Sequence, residues 1–229
     1  MRGIFVTGTD TGVGKTVLAA AIVAALRRRG LPVRACKPVL TGLDAPTDPD
    51  WPPDHELLAL AGGGEADEIM LVGFGPPVSP HLAAELAGRP LDPDRLAAAI
   101  RDGGADGGLL IVEGVGGLLV PLADGYDVRA LVGALALPLL IAARPGLGTL
   151  NHTLLTLEAA RHAGIEPLAV VLTPWPDSPD EIERSNLQTI ERLGRVPVAT
   201  LAPVARPAPD LLAAAGAALP LDRWLAASR

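Results

Sequence analysis

Gly8-Thr9-Asp10-Thr11-Gly12-Val13-Gly14-Lys15-Thr16 is the stretch that decides the fold of this chain. It follows a short apolar run, Ile4–Val6, and precedes a segment with helical apolar spacing that begins at Val17. A strand, a glycine-rich turn and a helix form the context of a phosphate-binding loop, where backbone N–H groups and the helix N-terminus attract anions. We predict that Lys15 contacts the terminal phosphates and that the Thr16 hydroxyl binds Mg²⁺.

The spacing of this loop is a variant of the strict phosphate-binding motif. Counting back from Gly14 places Thr9 at the position of the first glycine, with Gly8 one residue earlier. A glycine-rich turn without a ligand is the alternative, but the Gly-Lys-Thr end directly after an N-terminal strand favours phosphate binding. A dinucleotide fingerprint would need a third glycine where Val17 stands, and is therefore rejected.

Length and composition predict one α/β domain over residues 1–229. A net charge of −7 offers no basic surface for nucleic acid. The longest apolar run, Ala130–Ala143, is too short to span a bilayer and is interrupted by Pro138, so no membrane partner is expected. The lone Cys36 and the absence of a signal-peptide pattern predict a cytoplasmic protein without an internal disulfide.

Lysine is used at two positions only, Lys15 and Lys37, whereas the other seventeen basic residues are arginine. A compact ammonium fits a crowded phosphate site where a planar guanidinium does not. Because Lys15 belongs to the candidate phosphate-binding loop, Lys37 becomes a candidate for the same site. Chance is the alternative explanation for Lys37.

Apolar runs alternate with segments of helical spacing along most of the chain. The predicted strands are Ile4–Thr7, Val33–Lys37, Leu109–Glu113, Leu137–Ala143, Leu168–Leu172 and Val198–Leu201. The predicted helices are Thr16–Arg29, His55–Leu60, Asp92–Asp102, Val128–Leu135, Thr149–Ala163, Asp180–Leu193 and part of Leu211–Ala227. Continuous apolar strands indicate a single doubly wound, mostly parallel sheet with helices on both faces, of the P-loop NTPase type.

Four local features carry further expectations. Pro38 is expected to end the second strand, and Asp54 to cap the helix that begins at His55. Residues 44–53 are predicted to be a loop, and residues 62–90 to be the least regular part of the chain.

Ligands of parallel sheets bind at the carboxyl ends of the strands, which directs attention to the residues there. Lys37 ends the second strand and would offset charge on a transferring phosphoryl group. Glu113 ends an apolar strand, where a carboxylate must be solvated, paired or bound to a metal ion. Thr41 follows in a turn and is a candidate for phosphate or substrate. The four histidines show no metal-ligand spacing.

Several blocks, in order, resemble the dethiobiotin synthetase family over residues 1 to about 205. They are Val6–Thr16, Cys36–Gly42, Ser79–His81, Val112–Gly117 and Gly148–His152. The resemblance implies an ATP-dependent cyclo-ligase that carboxylates 7,8-diaminononanoate with CO₂, through a carbamate and a phosphorylated carbamate, and closes a ureido ring. It also implies a homodimer with the substrate at the subunit interface.

The resemblance further implies a role for each matching residue. Lys15 and Lys37 would be catalytic, and Thr16, Asp54 and Glu113 would hold Mg²⁺. The implied nucleotide contacts are Gly12, Val13, Gly14, Lys15, Thr16, Val17, Asp54, Glu113, Gly114, Val115, Gly116, Thr173 and Pro203. The implied substrate contacts are Thr11, Thr41, Gly148, Thr149, Leu150 and Asn151, of which the last four belong to the turn expected to bind the substrate carboxylate.

Two positions depart from well-known members of that family. Thr173 stands in place of an asparagine that contacts adenine, so another nucleoside triphosphate is expected to serve as well as ATP. Asn186 stands where some members have a tyrosine that contacts substrate across the dimer, which leaves more of the carboxylate binding to the 148–152 backbone.

A dimeric regulatory P-loop ATPase of the partitioning or division-site type is the alternative function. Such proteins resemble Lys-Gly-Gly-x-Gly-Lys-Thr and need a lysine where this chain has Asp10, and an acidic residue cannot neutralise a phosphate of the other subunit. A ligase that amidates a cobalt-ring acid would need a glutaminase domain for which no chain length remains.

Overall fold

The computed structural model describes residues 1–104 and 107–227. The expected single domain, residues 1–229, includes residues 105, 106, 228 and 229, which lie outside the described part. In chain order the strands are β1 (Arg2–Gly8), β2 (Val33–Thr41), β3 (Met70–Phe74), β4 (Leu109–Gly117), β5 (Pro121–Ala123), β6 (Tyr126–Asp127), β7 (Leu139–Ala143), β8 (Pro167–Leu172) and β9 (Val198–Thr200). The helices are α1 (Lys15–Arg28), α2 (Asp54–Gly62), α3 (Ala66–Ile69), α4 (Pro80–Leu86), α5 (Pro93–Gly103), α6 (Val128–Leu135), α7 (Thr149–His162), α8 (Glu181–Gly194), α9 (Pro209–Ala217) and α10 (Leu221–Ala226).

The main sheet of the described residues has seven strands in the order β3-β2-β4-β1-β7-β8-β9. All neighbouring strands in it pair in parallel, whereas β5 and β6 form a small antiparallel ribbon. Because parallel strands need crossover connections, helices cover the sheet. The predicted fold class is therefore confirmed.

Side chains of β1 alternate between two apolar cores, one on each face of the sheet. Ile4 and Val6 pack in a core with α1, α2, α9 and α10, whereas Phe5 packs in a core with α5, α6, α7 and α8. A central strand buried on both faces must be apolar throughout, which explains why the strands appear as continuous apolar runs.

Pro38 does not end the second strand, so that prediction is wrong. β2 continues to Thr41 by changing its partner: Val33–Cys36 pair with β4, and Lys37–Thr41 pair with β3. Pro38 is absent from the paired positions, as expected for a residue without a backbone N–H.

Three other local predictions also need correction. The N-cap of α2 is Pro53, which makes no side-chain capping hydrogen bond, and Asp54 is the first residue of the helix. The Asp54 carboxylate bonds to Thr16 and Lys37. Residues 62–90 contain the short helices α3 and α4 and the edge strand β3, although glycines and prolines hide their periodicity. The strand β4 runs on to Gly117 rather than ending at Glu113.

The remaining helices begin and end close to their predicted positions. Gly30 follows α1 with φ +75° and Gly164 follows α7 with φ +73°, in the left-handed conformation that favours glycine after a helix. No described helix is long and apolar enough to cross a bilayer.

Candidate active site

A cleft of about 800 Å³ opens at the carboxyl ends of β1, β2 and β4. The topology brings these strand ends together because β2, β4 and β1 are neighbours in the sheet. Eleven predicted site residues line the cleft: Thr11, Gly12, Gly14, Lys15, Thr16, Val17, Lys37, Thr41, Asp54, Val115 and Gly116. Residues from four separate parts of the sequence thus form one continuous surface.

The glycine-rich loop wraps directly onto the N-terminus of α1. Gly14 is the N-cap of α1 with φ +91°, a left-handed conformation that side chains other than glycine rarely adopt. A Cβ atom at Gly14 would also lie 2.9 Å from Cγ2 of Thr173, so packing and conformation both require glycine. The Lys15 ammonium donates to the Asp10 carbonyl oxygen at 2.9 Å, which holds this side chain along the loop.

Lys37 lies at the centre of the site and is almost completely buried. Its Nζ lies 2.7 Å from Oε1 of Glu113 and 2.7 Å from Oδ2 of Asp54, and it donates to the Gly114 carbonyl oxygen at 3.3 Å. A buried ammonium is tolerated only when its donors are satisfied by charges and hydrogen bonds. The three oxygens fix the position of this cation.

Oxygen atoms of Thr16, Asp54 and Glu113 converge beside Lys37. The Thr16 hydroxyl lies 2.9 Å from both Oδ1 of Asp54 and Oε1 of Glu113. Oε2 of Glu113 is buried and has no hydrogen-bond partner among the described residues. Two carboxylates and a hydroxyl are the hard oxygen ligands that Mg²⁺ prefers, and the orphaned oxygen has a lone pair to offer, so these residues fit that cation.

Burial and mutual charge set the protonation of the four groups. Burial lowers the pKa of Lys37, but Glu113 and Asp54 outweigh burial and leave this pKa raised. Burial also raises the pKa of Glu113. Burial would raise the pKa of Asp54, but Lys37 outweighs it and leaves that pKa lowered. Burial lowers the pKa of Lys15, and Lys37 lowers it further.

Other predicted nucleotide-binding residues lie outside the lining of the cleft. Val13 is buried, and Glu113 and Gly114 lie behind the surface, bonded to Lys37. Thr173 is buried against Gly14, and Pro203 is exposed and follows β9, the last strand of the sheet.

The predicted carboxylate-binding residues also lie outside this cleft. Gly148 is the N-cap of α7, and Thr149, Leu150 and Asn151 form the first turn of that helix. His152 follows them and lines a neighbouring cavity of about 390 Å³, together with Thr9 and Asp10 of the phosphate loop. His152 therefore lies beside the phosphate loop, whereas residues 148–151 line neither the cleft nor this cavity.

Several lining residues received no role from the sequence: Leu40, Asp48, Trp51, Pro52, Leu57, Pro77, Val78, Ser79, Pro80 and Val120. Ser79 and Pro80 belong to the Ser79–His81 block that resembles the family, and this resemblance is the sequence feature that could have assigned them to the site. Asp48 and Trp51 lie in a stretch rich in proline and aspartate, where local patterns do not reveal which side chains turn toward a cleft.

Asn186 lies in the interior rather than at a surface open to substrate. Its side-chain amide donates to the carbonyl oxygens of Pro145 at 2.8 Å and Gly146 at 3.1 Å. This residue thus holds the segment between β7 and α7.

Comparison with solved structures supports the fold. The chloroplast FtsY of Physcomitrella patens matches with a TM-score of 0.53 and 14% identity, over 99% of this chain. The chain spans 64% of the length of that FtsY chain, and the likeness concerns the fold alone.

Comparison of sequences identifies the family. A protein-family model described as AAA domain matches residues 2–206. Proteins named ATP-dependent dethiobiotin synthetase BioD are similar: that of Bacillus subtilis subsp. natto is 37% identical over 89% of this chain and 87% of its own. That of Anaeromyxobacter sp. (strain Fw109-5) is 41% identical over 89% and 91%, and that of Haloferax mediterranei is 38% identical over 96% and 92%. On this evidence the chain belongs to the ATP-dependent dethiobiotin synthetase family.

Proposed function

We propose that this protein is an ATP-dependent dethiobiotin synthetase that acts as a single α/β unit. It would carboxylate 7,8-diaminononanoate with CO₂ and close the ureido ring, releasing ADP and phosphate. The observation that carries the proposal is the meeting of Lys37, Glu113, Asp54 and Thr16 beside the glycine-rich loop. The family membership of the chain supports the same activity.

The glycine-rich loop would hold the triphosphate of ATP. Backbone N–H groups from Gly12 to Val17 and the N-terminus of α1 supply the donors and partial positive charge that phosphates need. Thr173 and Pro203 would lie toward the base, and Gly114, Val115 and Gly116 toward the phosphates. The position of Thr173 against Gly14 supports its part in this role.

Mg²⁺ would be held by Thr16, Asp54 and Glu113. When bound, the ion supplies positive charge that neutralises phosphate oxygens during phosphoryl transfer. Mg²⁺ is commonly bound through one or two carboxylates, with phosphates and water completing its ligands. The two carboxylates of this site suit that arrangement.

Lys15 and Lys37 would stabilise the charge that develops in two chemical steps. In the first, a carbamate oxygen bonds to the γ-phosphorus while the bond to the leaving ADP oxygen breaks. In the second, the remaining amine bonds to the carbamate carbon, phosphate leaves with the electron pair of its C–O bond, and the amine nitrogen gives up one proton to water or to the departing phosphate. Because the pKa of Lys37 is raised, its ammonium stays charged through both steps.

The cleft would place the two amines near the activated carbon. Thr11 and Thr41 offer hydroxyls in its wall, and Leu40, Val78 and Val120 provide apolar surface for an alkyl chain. A long diamino acid has this combination of polar and apolar parts.

A homodimer would complete the substrate site. Gly148, Thr149, Leu150 and Asn151 lie outside the cleft of their own chain, so the 148–152 turn of a second copy would bind the substrate carboxylate. The exposed leucines 119 and 155 line the cavity next to this turn, and exposed apolar groups at one place favour a protein contact.

A cytoplasmic location stays a prediction, as do the absence of a nucleic-acid partner and of a membrane partner.

One reaction tests the proposal. The purified protein is incubated with 7,8-diaminononanoate, ¹³C-bicarbonate, Mg²⁺ and ATP, and the products are analysed by mass spectrometry. We expect dethiobiotin carrying one ¹³C, formed only when ATP and Mg²⁺ are present. ATP hydrolysis that is independent of the diamine, with no ring product, would contradict the proposal and favour a regulatory ATPase.

A further inference from the structure

The short connection between β7 and α7 is held by a buried amide. Asn186 projects from α8 and is 6% exposed. Its Nδ2 donates both hydrogens to main-chain carbonyls, those of Pro145 at 2.8 Å and Gly146 at 3.1 Å. A neutral amide nitrogen is suited to this task because it offers two donors without a charge that must be desolvated.

The bonds of Asn186 continue into the first turn of α7. The Gly146 carbonyl that accepts from Asn186 also accepts from the Thr149 N–H at 3.3 Å. Gly148, the N-cap of α7, has φ +91° and provides no side-chain cap. The orientation of the helix start therefore depends on the Gly146 peptide, and that peptide is held by Asn186.

The other end of the same connection contacts the phosphate loop. The Arg144 guanidinium donates to the Gly12 carbonyl oxygen at 3.2 Å. The connection between β7 and α7 is thus held at two points: Arg144 bonds to the phosphate loop, and Asn186 of α8 bonds to Pro145 and Gly146. Of the two, the Asn186 anchor is the one next to Thr149 and the residues that follow it.

We propose that Asn186 is a positioning residue for the acid end of the substrate, acting through the Pro145–Gly148 turn rather than by direct contact. The inference rests on the proposed function, in which the N-terminal turn of α7 binds the carboxylate of the diamino acid. Both amide hydrogens of Asn186 are already used by the turn, so Nδ2 has no hydrogen left for a substrate oxygen.

Two substitutions and a pair of substrates test this role. Asn186→Ala removes the donors, and Asn186→Asp keeps the shape but directs carboxylate oxygens at two carbonyls. Gln188→Ala, an exposed amide on the same helix, is the control. Each protein is assayed with 7,8-diaminononanoate and with 2,3-diaminononane, in which a methyl group replaces the carboxylate. Thermal melting first confirms that each variant is folded.

We expect the wild type and Gln188→Ala to prefer the acid in kcat/KM. Both Asn186 variants should lose about tenfold or more of that preference, the effect of one lost bonding interaction, through a higher KM for the acid. Their KM for ATP and their kcat/KM for 2,3-diaminononane should stay within about twofold of wild type, a margin well below the tenfold effect of one bond. Amide hydrogen exchange of residues 146–150 should also become faster in folded Asn186→Ala.

Other outcomes would overturn the inference. Equal losses with both substrates would show a general structural role, and an unchanged preference with unchanged exchange would show no role. If Asn186→Asp is the only variant of Asn186 that folds, its kcat/KM for the acid relative to 2,3-diaminononane is the test, and an unchanged ratio would overturn the inference. A wild-type protein that makes no ring product from either substrate would instead refute the proposed function, and the inference with it.

Discussion

Nζ of Lys37 and Oε1 of Glu113 lie 2.7 Å apart, in a pair whose side chains are almost completely excluded from solvent. The two residues are 76 positions apart in the chain, and they meet because β2 and β4 are neighbours. Buried ion pairs bring little net stability, since desolvation offsets their attraction. A pair in the interior next to a phosphate-binding loop is therefore better explained by chemistry than by folding.

Lys37→Ala should reduce turnover by roughly two or more orders of magnitude, the effect of losing a donor to the transition state. ATP binding should remain measurable, because the backbone donors of the glycine-rich loop are intact. Single-turnover kinetics and calorimetric titration with ATP separate the two effects. Arg192→Ala, an exposed cation on α8, is the control, and near-normal turnover in Lys37→Ala would count against the proposed role.

Thr16→Val should raise the Mg²⁺ concentration needed for half-maximal turnover by about tenfold or more, since it removes an oxygen ligand. Thr16→Ser keeps that oxygen and serves as the matched control, with a requirement close to wild type. Chelation by EDTA should abolish turnover, and added Mg²⁺ should restore it. The same Mg²⁺ requirement in Thr16→Val as in wild type would refute the assignment.

Thr173 leads to a prediction about which nucleotide base the protein accepts. Its side chain packs on Gly14 and offers one hydroxyl, whereas an asparagine amide offers the paired donor and acceptor that match a base edge. We expect CTP or GTP to support turnover comparable to ATP in a nucleotide panel. Thr173→Asn should increase the preference for ATP. Strict dependence of the wild type on ATP would reject this prediction.

Leu155→Glu should shift a homodimer toward monomer and lower turnover, because a charge would be placed beside the 148–152 turn. Leu193→Glu is a closely matched control: Leu155 and Leu193 are 55% and 52% exposed, and Leu193 lies at the end of α8. Light scattering during gel filtration reports the mass of each protein. A wild-type monomer, or the same shift in both variants, would contradict the proposed interface.

Cys36 should resist iodoacetamide at pH 8 in the native protein and react in denaturant. Burial raises the pKa of this thiol to about 12, and the thiolate is the reactive form. Mass spectrometry measures the extent of modification, and rapid labelling of the native protein would disprove the expectation.

The same shift makes a prediction about stability. The folded protein keeps the thiol neutral, whereas an unfolded cysteine ionises near pH ~8.5. The stabilisation is therefore complete below that pH and is lost as the pH rises toward about 12. The free energy of unfolding of Cys36→Ala should fall less steeply over this range than that of wild type.

The sequence was most informative where function depends on neighbours in the chain. The glycine-rich loop, the apolar strands and the alternation of strands with helices are local patterns, and each predicted its element without tertiary information. The scarcity of lysine pointed to Lys37 as well. Pro38 misled because a proline ends a strand only when its missing N–H would be needed, and here β2 changes partner at that position.

Contacts between distant segments required the folded structure. That the Asp54 carboxylate bonds to Thr16 and Lys37 instead of capping its own helix depends on the approach of α2 to the glycine-rich loop. The anchoring role of Asn186 depends likewise on α8 packing beside the end of β7. The sequence by itself determined the fold class and the loop, because backbone conformation follows local residue preferences. Only the tertiary structure decided which side chains share a site, because strand order places residues far apart in the chain within bonding distance.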